Sequence, residues 1–200
     1  MMPAWARIER WLAAHAPAIL ADMRPGASPA EIRAAEEQLG CTFPDDVREW
    51  FATHDGSESC ALMEYWDLNP LAEVVRSWKV LKGILDTGFF DEFSSKPVGP
   101  IRTEWWHPAW VPLTSEPGGN HLCLDLAPAE GGEVGQVISW VHDDSVREVV
   151  APTFPAWFEQ LADGLEAGAY KVDREGVLVR IGGPEDHDAE PGAAPDPARM

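Results

Sequence analysis

The residues of this chain best suited to chemistry are His121, Cys123 and Asp125, in the run His-Leu-Cys-Leu-Asp. On a strand, side chains two apart share a face, so these three would line one side and Leu122 and Leu124 the other. All three are plausible metal ligands. Neighbours on one strand point in parallel, however, and a further group such as His107 or His142 would have to converge on them. Strand alternation accounts for the triplet without a metal, and no metal or other cofactor is expected. A hydrolytic centre could pair Ser115 or Ser139 with His142 and Asp143, but neither serine lies in a Gly-x-Ser-x-Gly elbow. Cys41, Cys60 and Cys123 lie far apart without Cys-x-x-Cys spacing and read as reduced, mostly buried thiols. Gly118-Gly119 and Gly131-Gly132 precede no Gly-Lys-Ser or Gly-Lys-Thr and fit no dinucleotide fingerprint, so they read as turns. The carboxylate pairs Asp45-Asp46 and Asp143-Asp144 adjoin turns, where such pairs cap helices or stay hydrated. No catalytic group is expected among these residues.

The elements that must position them alternate between two periods. Trp5, Ile8, Trp11, Leu12, Ile19 and Leu20 fall near helical spacing, interrupted or restarted at Pro17. Ser28-Pro29-Ala30-Glu31 supplies a capping box for a helix that should end at Gly40. Phe43-Pro44 opens another, carrying Val47, Trp50 and Phe51 and stopping at His54-Asp55-Gly56. Cys60 to Trp66 reads as a short strand. Asn69-Pro70 then caps a helix with Leu71, Val74, Val75, Trp78, Leu81 and Leu85 on one face. Residues 86–104 hold no sustained period and read as a long loop, which in a compact domain is often functional.

Four strands follow, Trp110 to Thr114, His121 to Leu126, Gly135 to His142 and Val146 to Ala151. The short turns between them favour antiparallel neighbours, because parallel pairing needs a much longer crossover, and a meander is expected. Phe154-Pro155 starts a helix ending near Gly168, and Val177 to Ile181 reads as an added edge strand. The fold class is α+β: a central antiparallel-rich sheet of about four to six strands flanked by N-terminal and C-terminal helices. The domain spans residues 1–181. Residues 182–200, acidic and rich in Pro and Gly, read as a disordered tail.

The charge balance narrows the partners. Asp plus Glu number 34 against 15 Lys plus Arg, a net charge of −19, which would repel nucleic acid. A basic protein partner is favoured, although acidity also keeps molecules soluble and apart. No apolar run approaches the roughly 18 residues of a membrane span. Glu9, His15 and Asp22 break the hydrophobicity a signal peptide needs, so a cytoplasmic protein with no membrane partner is expected.

Two stretches carry a family likeness. The helical run from Ala27-Ser28 through Phe43-Pro44 to His54-Asp55-Gly56, with the strand-rich stretch from Trp105 to Trp140, resembles the SUKH superfamily, the Smi/Knr cell-wall-regulator-like proteins. The likeness extends from about Trp5 to Tyr170. Ser28, Gly40, Pro44, Gly56, Trp110, Pro112, Gly119, Asn120, Asp125, Gly135 and Trp140 match its pattern, as caps, turn residues, strand aromatics and a polar strand position. The resemblance implies a SUKH-like α+β domain and a non-enzymatic protein-binding module. Foremost it implies an immunity protein that binds and neutralises a bacterial toxin, with a basic toxin domain as partner. Alternatively it implies a regulatory or scaffold protein related to fungal cell-wall (glucan) synthesis regulators. Because the matching residues read as fold residues, binding is assigned to the less regular acidic segments: Asp86, Asp91 and Glu92 in the long connection, and Asp143 and Asp144 at the hairpin turn. Trp105 or Trp106 would serve as an aromatic anchor.

Overall fold

Helices account for most of the N-terminal third, and their limits follow from local chemistry. The computed structural model describes residues 3–59, 62–63 and 66–181. Helix α1 (Pro3–His15) buries Ala4, Trp5, Ile8 and Leu12 at helical spacing, and Pro17 starts a separate short α2 (Pro17–Asp22). Helix α3 (Pro29–Leu39) opens on the expected capping box: Glu31 N donates to Ser28 Oγ at 3.3 Å and Ser28 N to Glu31 Oε2 at 2.7 Å. It ends at Gly40 in the left-handed conformation, as a helix C-terminus favours. Buried Glu36 ties α3 to α4 (Asp45–Thr53), accepting from Phe43 N at 2.7 Å and from Arg48 Nε at 2.8 Å. Helix α5 (Leu71–Asp86) is capped from a distance, since Leu71 N donates to Asp55 Oδ1 at 2.7 Å. Asn69, read from sequence as that cap, is instead buried: Nδ2 donates to Pro112 O at 3.2 Å and Oδ1 accepts from Ser115 Oγ at 2.7 Å. Helix α6 (Phe154–Glu166) starts on the side chain of Thr153.

The strands are β1 (Asp67–Leu68), β2 (Lys96–Val98), β3 (Trp110–Pro112), β4 (Thr114–Ser115), β5 (His121–Asp125), β6 (Gln136–Trp140), β7 (Val146–Ala151), β8 (Tyr170–Val172) and β9 (Leu178–Arg180). The central sheet has the order β2-β7-β6-β5-β3, and its last four strands form the expected antiparallel meander.

Four details differ from the sequence reading. The strand expected over Trp110 to Thr114 divides at Leu113, because Thr114 Oγ1 takes the Leu122 N–H and the Thr114 carbonyl meets the His121 ring, ending the ladder to β5; β4 then pairs with β1. The loop expected over residues 86–104 contains β2, parallel to β7 with Lys96 opposite Val146, which makes the sheet mixed. Pro97 is tolerated there because β2 is an edge strand. β9 pairs with β8 in a separate hairpin and adds nothing to the central sheet. Of the strand read over Cys60 to Trp66, residues 60, 61, 64 and 65 lie outside the described residues, and Met63 and Trp66 form only an isolated bridge. The expected tail, residues 182–200, also lies outside them.

Two cores meet at the sheet. Val111, Leu122, Leu124, Val137 and Ala151 face the larger core, which holds Trp5, Trp50, Phe154 and Phe158 from the helices. Trp110, Cys123, Ile138 and Trp140 face the other way, onto Leu81 of α5 and onto Phe90, Ile101 and Trp106 of the long connection. That connection therefore closes the second face of the sheet. Among the described residues no helix is long and apolar enough to cross a membrane.

Candidate protein-binding surface

The surface is made where α5 turns back toward the sheet. Gly88 N donates to Leu85 O at 2.9 Å, Asp91 N to Gly88 O at 3.1 Å and Phe93 N to Phe90 O at 3.0 Å, so residues 87–93 wind into a tight turn. Phe90 points into the second core, whereas Phe89 and Phe93 remain 63% and 45% exposed. Their ring centroids are 5.7 Å apart, and Phe93 lies 5.2 Å from the ring of half-buried Trp105. Three aromatic rings thus form one ridge. Scattered exposed apolar side chains are ordinary, whereas these rings touch one another and have the exposed Asp91 and Glu92 between Phe90 and Phe93.

Arg147 supports the ridge from behind. Its guanidinium lies 5.0 Å from the Trp105 ring centroid and 5.7 Å from that of Trp140, and the residue is fully buried. One terminal nitrogen donates to Asp144 O at 2.6 Å and Val146 O at 2.7 Å, and the other to Trp105 O at 3.1 Å. Trp140 Nε1 donates to the same Trp105 carbonyl at 2.9 Å. Burial pulls the guanidinium down to about 10, which still leaves it charged at neutral pH. A cation between two indole faces gains attraction that water would otherwise weaken.

The acids assigned from sequence divide by place. Asp91 and Glu92 are exposed on the ridge turn, and Asp86, at the end of α5, is paired with Lys82 one turn back. Asp143 and Asp144 are exposed on the β6–β7 turn, where Asp144 Oδ1 accepts from Val146 N at 3.0 Å. Because β2 and β7 are parallel with Lys96 opposite Val146, the segments entering them leave the same end of the sheet. The two acidic segments are therefore brought to one end. Trp105 belongs to the ridge, but Trp106 is only 1% exposed and packs within the second core, so its indole is not available to a partner. Phe89, Phe93 and Arg147 were not singled out from sequence. The run Phe89-Phe90-Asp91-Glu92-Phe93, aromatic and acidic in a segment without period, was the available signal for the first two.

The His-Cys-Asp triplet is divided among separate tasks. His121 stacks on Trp140 with ring centroids 5.8 Å apart, and burial lowers its affinity for a proton. Cys123 is wholly enclosed, and burial pushes its thiol up. Asp125 Oδ2 accepts from Gln136 Nε2 at 2.9 Å and Oδ1 from Ala127 N at 2.9 Å. Among the described residues no group of three or more His, Cys, Asp or Glu could hold a metal. Burial raises the Asp125 carboxyl, with the bonds from Ala127 and Gln136 opposing it. A raised acid favours folding while it is protonated, and that contribution is lost as pH rises through its folded value. The stability of the wild type relative to Asp125→Asn should accordingly fall as pH rises from about 4 toward neutrality, as thermal melts across that range would reveal. A difference that grows with pH would reverse the assigned sign.

The remaining motif residues occupy structural positions. Pro44 precedes α4, Pro112 O accepts from Asn69, and Trp110 and Trp140 fill the second core. Asn120 Oδ1 accepts from His142 N at 2.9 Å, while Gly119 and Gly135 have positive φ.

A family model described as SMI1 / KNR4 family (SUKH-1) matches residues 26–160. Similar proteins include the cell wall biosynthesis/cell cycle regulator smi1 of Schizosaccharomyces pombe, 28% identical over 193 residues that cover 88% of this chain and 38% of that protein. The glucan synthesis regulatory protein of Neurospora crassa is 27% identical over 209 residues, covering 86% of this chain and 39% of its own length. The cell wall assembly regulator SMI1 of Saccharomyces cerevisiae is 28% identical over 209 residues, covering 85% and 41%. The chain spans only 38% to 41% of the length of these relatives.

Proposed function

Because the chain belongs to the SMI1 / KNR4 family (SUKH-1), we propose that it is a non-enzymatic protein-binding module with a regulatory or scaffold role. The observation that carries this reading is the exposed Phe89–Phe93–Trp105 ridge beside Asp91 and Glu92, an apolar centre with a charged margin as in protein interfaces. The names of the similar proteins, regulators of cell-wall assembly or glucan synthesis, favour a role of that kind over toxin immunity. A cytoplasmic location is part of the reading.

Immunity remains the second reading on one observation, the net charge of −19. An acidic inhibitor suits a basic toxin, and opposite charge speeds encounter. The two roles separate in a paired experiment. Expressed in Saccharomyces cerevisiae depleted of SMI1, the chain is expected to restore glucan deposition at least in part and to co-purify with components that SMI1 itself retains. Absence of rescue, together with capture of a basic toxin in the chain's own host, would establish immunity instead. Absence of a specific partner in both settings would overturn the binding-module reading.

A further inference from the structure

We propose that the outer face of α5 and the Phe89–Phe93 ridge form one groove that receives a basic amphipathic helix of a partner protein, an assignment that rests on the protein-binding reading. The groove is lined by Lys79, Val80, Gly83, Ile84, Thr87 and Phe89. Val80 is 56% exposed on its α5 side, and Phe89 forms the opposite wall. At Gly83 a Cβ would meet nothing within 4 Å, so the space over the helix there is open to a docked side chain. From Val80 to Thr87 the helix rises about 10 Å, two turns, which matches the spacing of side chains that a docked helix uses as anchors.

Charge selects the occupant. Between Gly83 and Ser95 the chain carries Asp86, Asp91 and Glu92 and neither Lys nor Arg. Lys79, in the groove lining, donates to Gln38 Oε1 at 2.7 Å and keeps its charge, and Lys82 pairs with Asp86, which leaves Asp91 and Glu92 as the acids beside Phe89 and Phe93. Asp143 and Asp144 leave the same end of the sheet. A second copy of a chain with net charge −19 would meet like charge across this margin, and so would an anionic membrane or a nucleic acid. A helix with apolar side chains on one face and Lys or Arg beside them satisfies both the groove and its rim.

The test uses the full chain and a labelled synthetic peptide of Leu and Lys at helical spacing, with two controls: the same composition in alternating order, and a Leu/Glu counterpart. Fluorescence anisotropy should show binding of the first peptide in preference to both controls, and circular dichroism should show it gaining helix. Phe89→Ser with Phe93→Ser should weaken binding about tenfold or more, as truncation of buried aromatic anchors does. Val80→Glu, a change on the exposed face of α5, should weaken it too and covers the case in which the Phe variant folds poorly. Asp91→Lys with Glu92→Lys should slow association, and added salt should slow the wild type. Glu130→Lys with Glu133→Lys makes the same change in net charge on another loop and should leave binding nearly unchanged. An equal loss from that control, or equal binding of the alternating peptide, would overturn the groove assignment. A natural partner retained by folded Phe89→Ser/Phe93→Ser and Val80→Glu variants would also overturn it while leaving the protein-binding reading intact.

Discussion

Replacing Arg147 with Ala is expected to destabilise the domain by roughly 3 to 5 kcal/mol, the range for emptying a large, well-packed buried site. The carbonyl oxygens of Asp144 and Val146 would lose the guanidinium as donor, that of Trp105 would keep only Trp140 Nε1, and the space between the Trp105 and Trp140 rings would lose its cation. A desolvated cation–π contact contributes about 2 kcal/mol, and each buried acceptor left unpaired costs roughly 1 to 3. These contributions overlap and are not additive, so the packing range is the better guide. Opposing them is the cost of keeping a guanidinium dry with its Nε unbonded. Arg147→Lys keeps the charge but not the planar fork, which bonds two segments at once, and should recover less than half of the loss. Urea unfolding followed by Trp fluorescence would measure both variants. A cost below about 1 kcal/mol for Ala would mean that the aromatic packing holds this face of the sheet without the cation. The functional consequence is local: with Arg147 gone, Trp105 loses its backing, and the ridge that includes Phe93 should become disordered before the rest of the domain unfolds.

Arg147 also shows where sequence reasoning reaches its limit. The capping box at Ser28, the helix stop at Gly40 and the strands of the meander follow from neighbours within a few residues, and all were legible. Asp55 caps a helix that begins 16 residues later, and Glu36 binds Arg48 from 12 residues away, pairings that no local period encodes. Strand β2 escaped because it is a three-residue Lys-Pro-Val edge held by a partner 50 positions along the chain, with Pro97 arguing against a strand. The aromatic ridge shows the same division. Asp91 and Glu92 were legible as acids in an irregular connection, but whether Phe89, Phe90, Trp105 or Trp106 faces water depends on which rings the second core admits. Trp106 was admitted and Phe89 was not.

The Gly56→Ala substitution should cost about 3 kcal/mol or more, and Gly40→Ala only about 1, although both glycines have a left-handed backbone. At Gly40, φ is 67° and a Cβ would meet nothing within 4 Å, so Ala incurs conformational strain alone. At Gly56, φ is 76° and the added carbon would lie 2.5 Å from both Leu68 O and Pro70 N and 2.7 Å from Asn69 C. Those are backbone atoms that cannot swing aside. To make room, the Gly56 segment must move away from the residues leading into α5, which strains the bonds from Ser57 N to Leu68 O and from Leu71 N to Asp55 Oδ1, at 3.0 and 2.7 Å. The helix would then lose the side chain that caps its N-terminus, and its far end is the wall of the proposed groove. Chemical denaturation of the two variants would separate strain from collision. Equal costs would show that the left-handed backbone dominates at both sites, whereas a larger loss at Gly56, with weaker peptide binding at temperatures where the variant stays folded, would trace the groove's position to the contact between this turn and the start of α5.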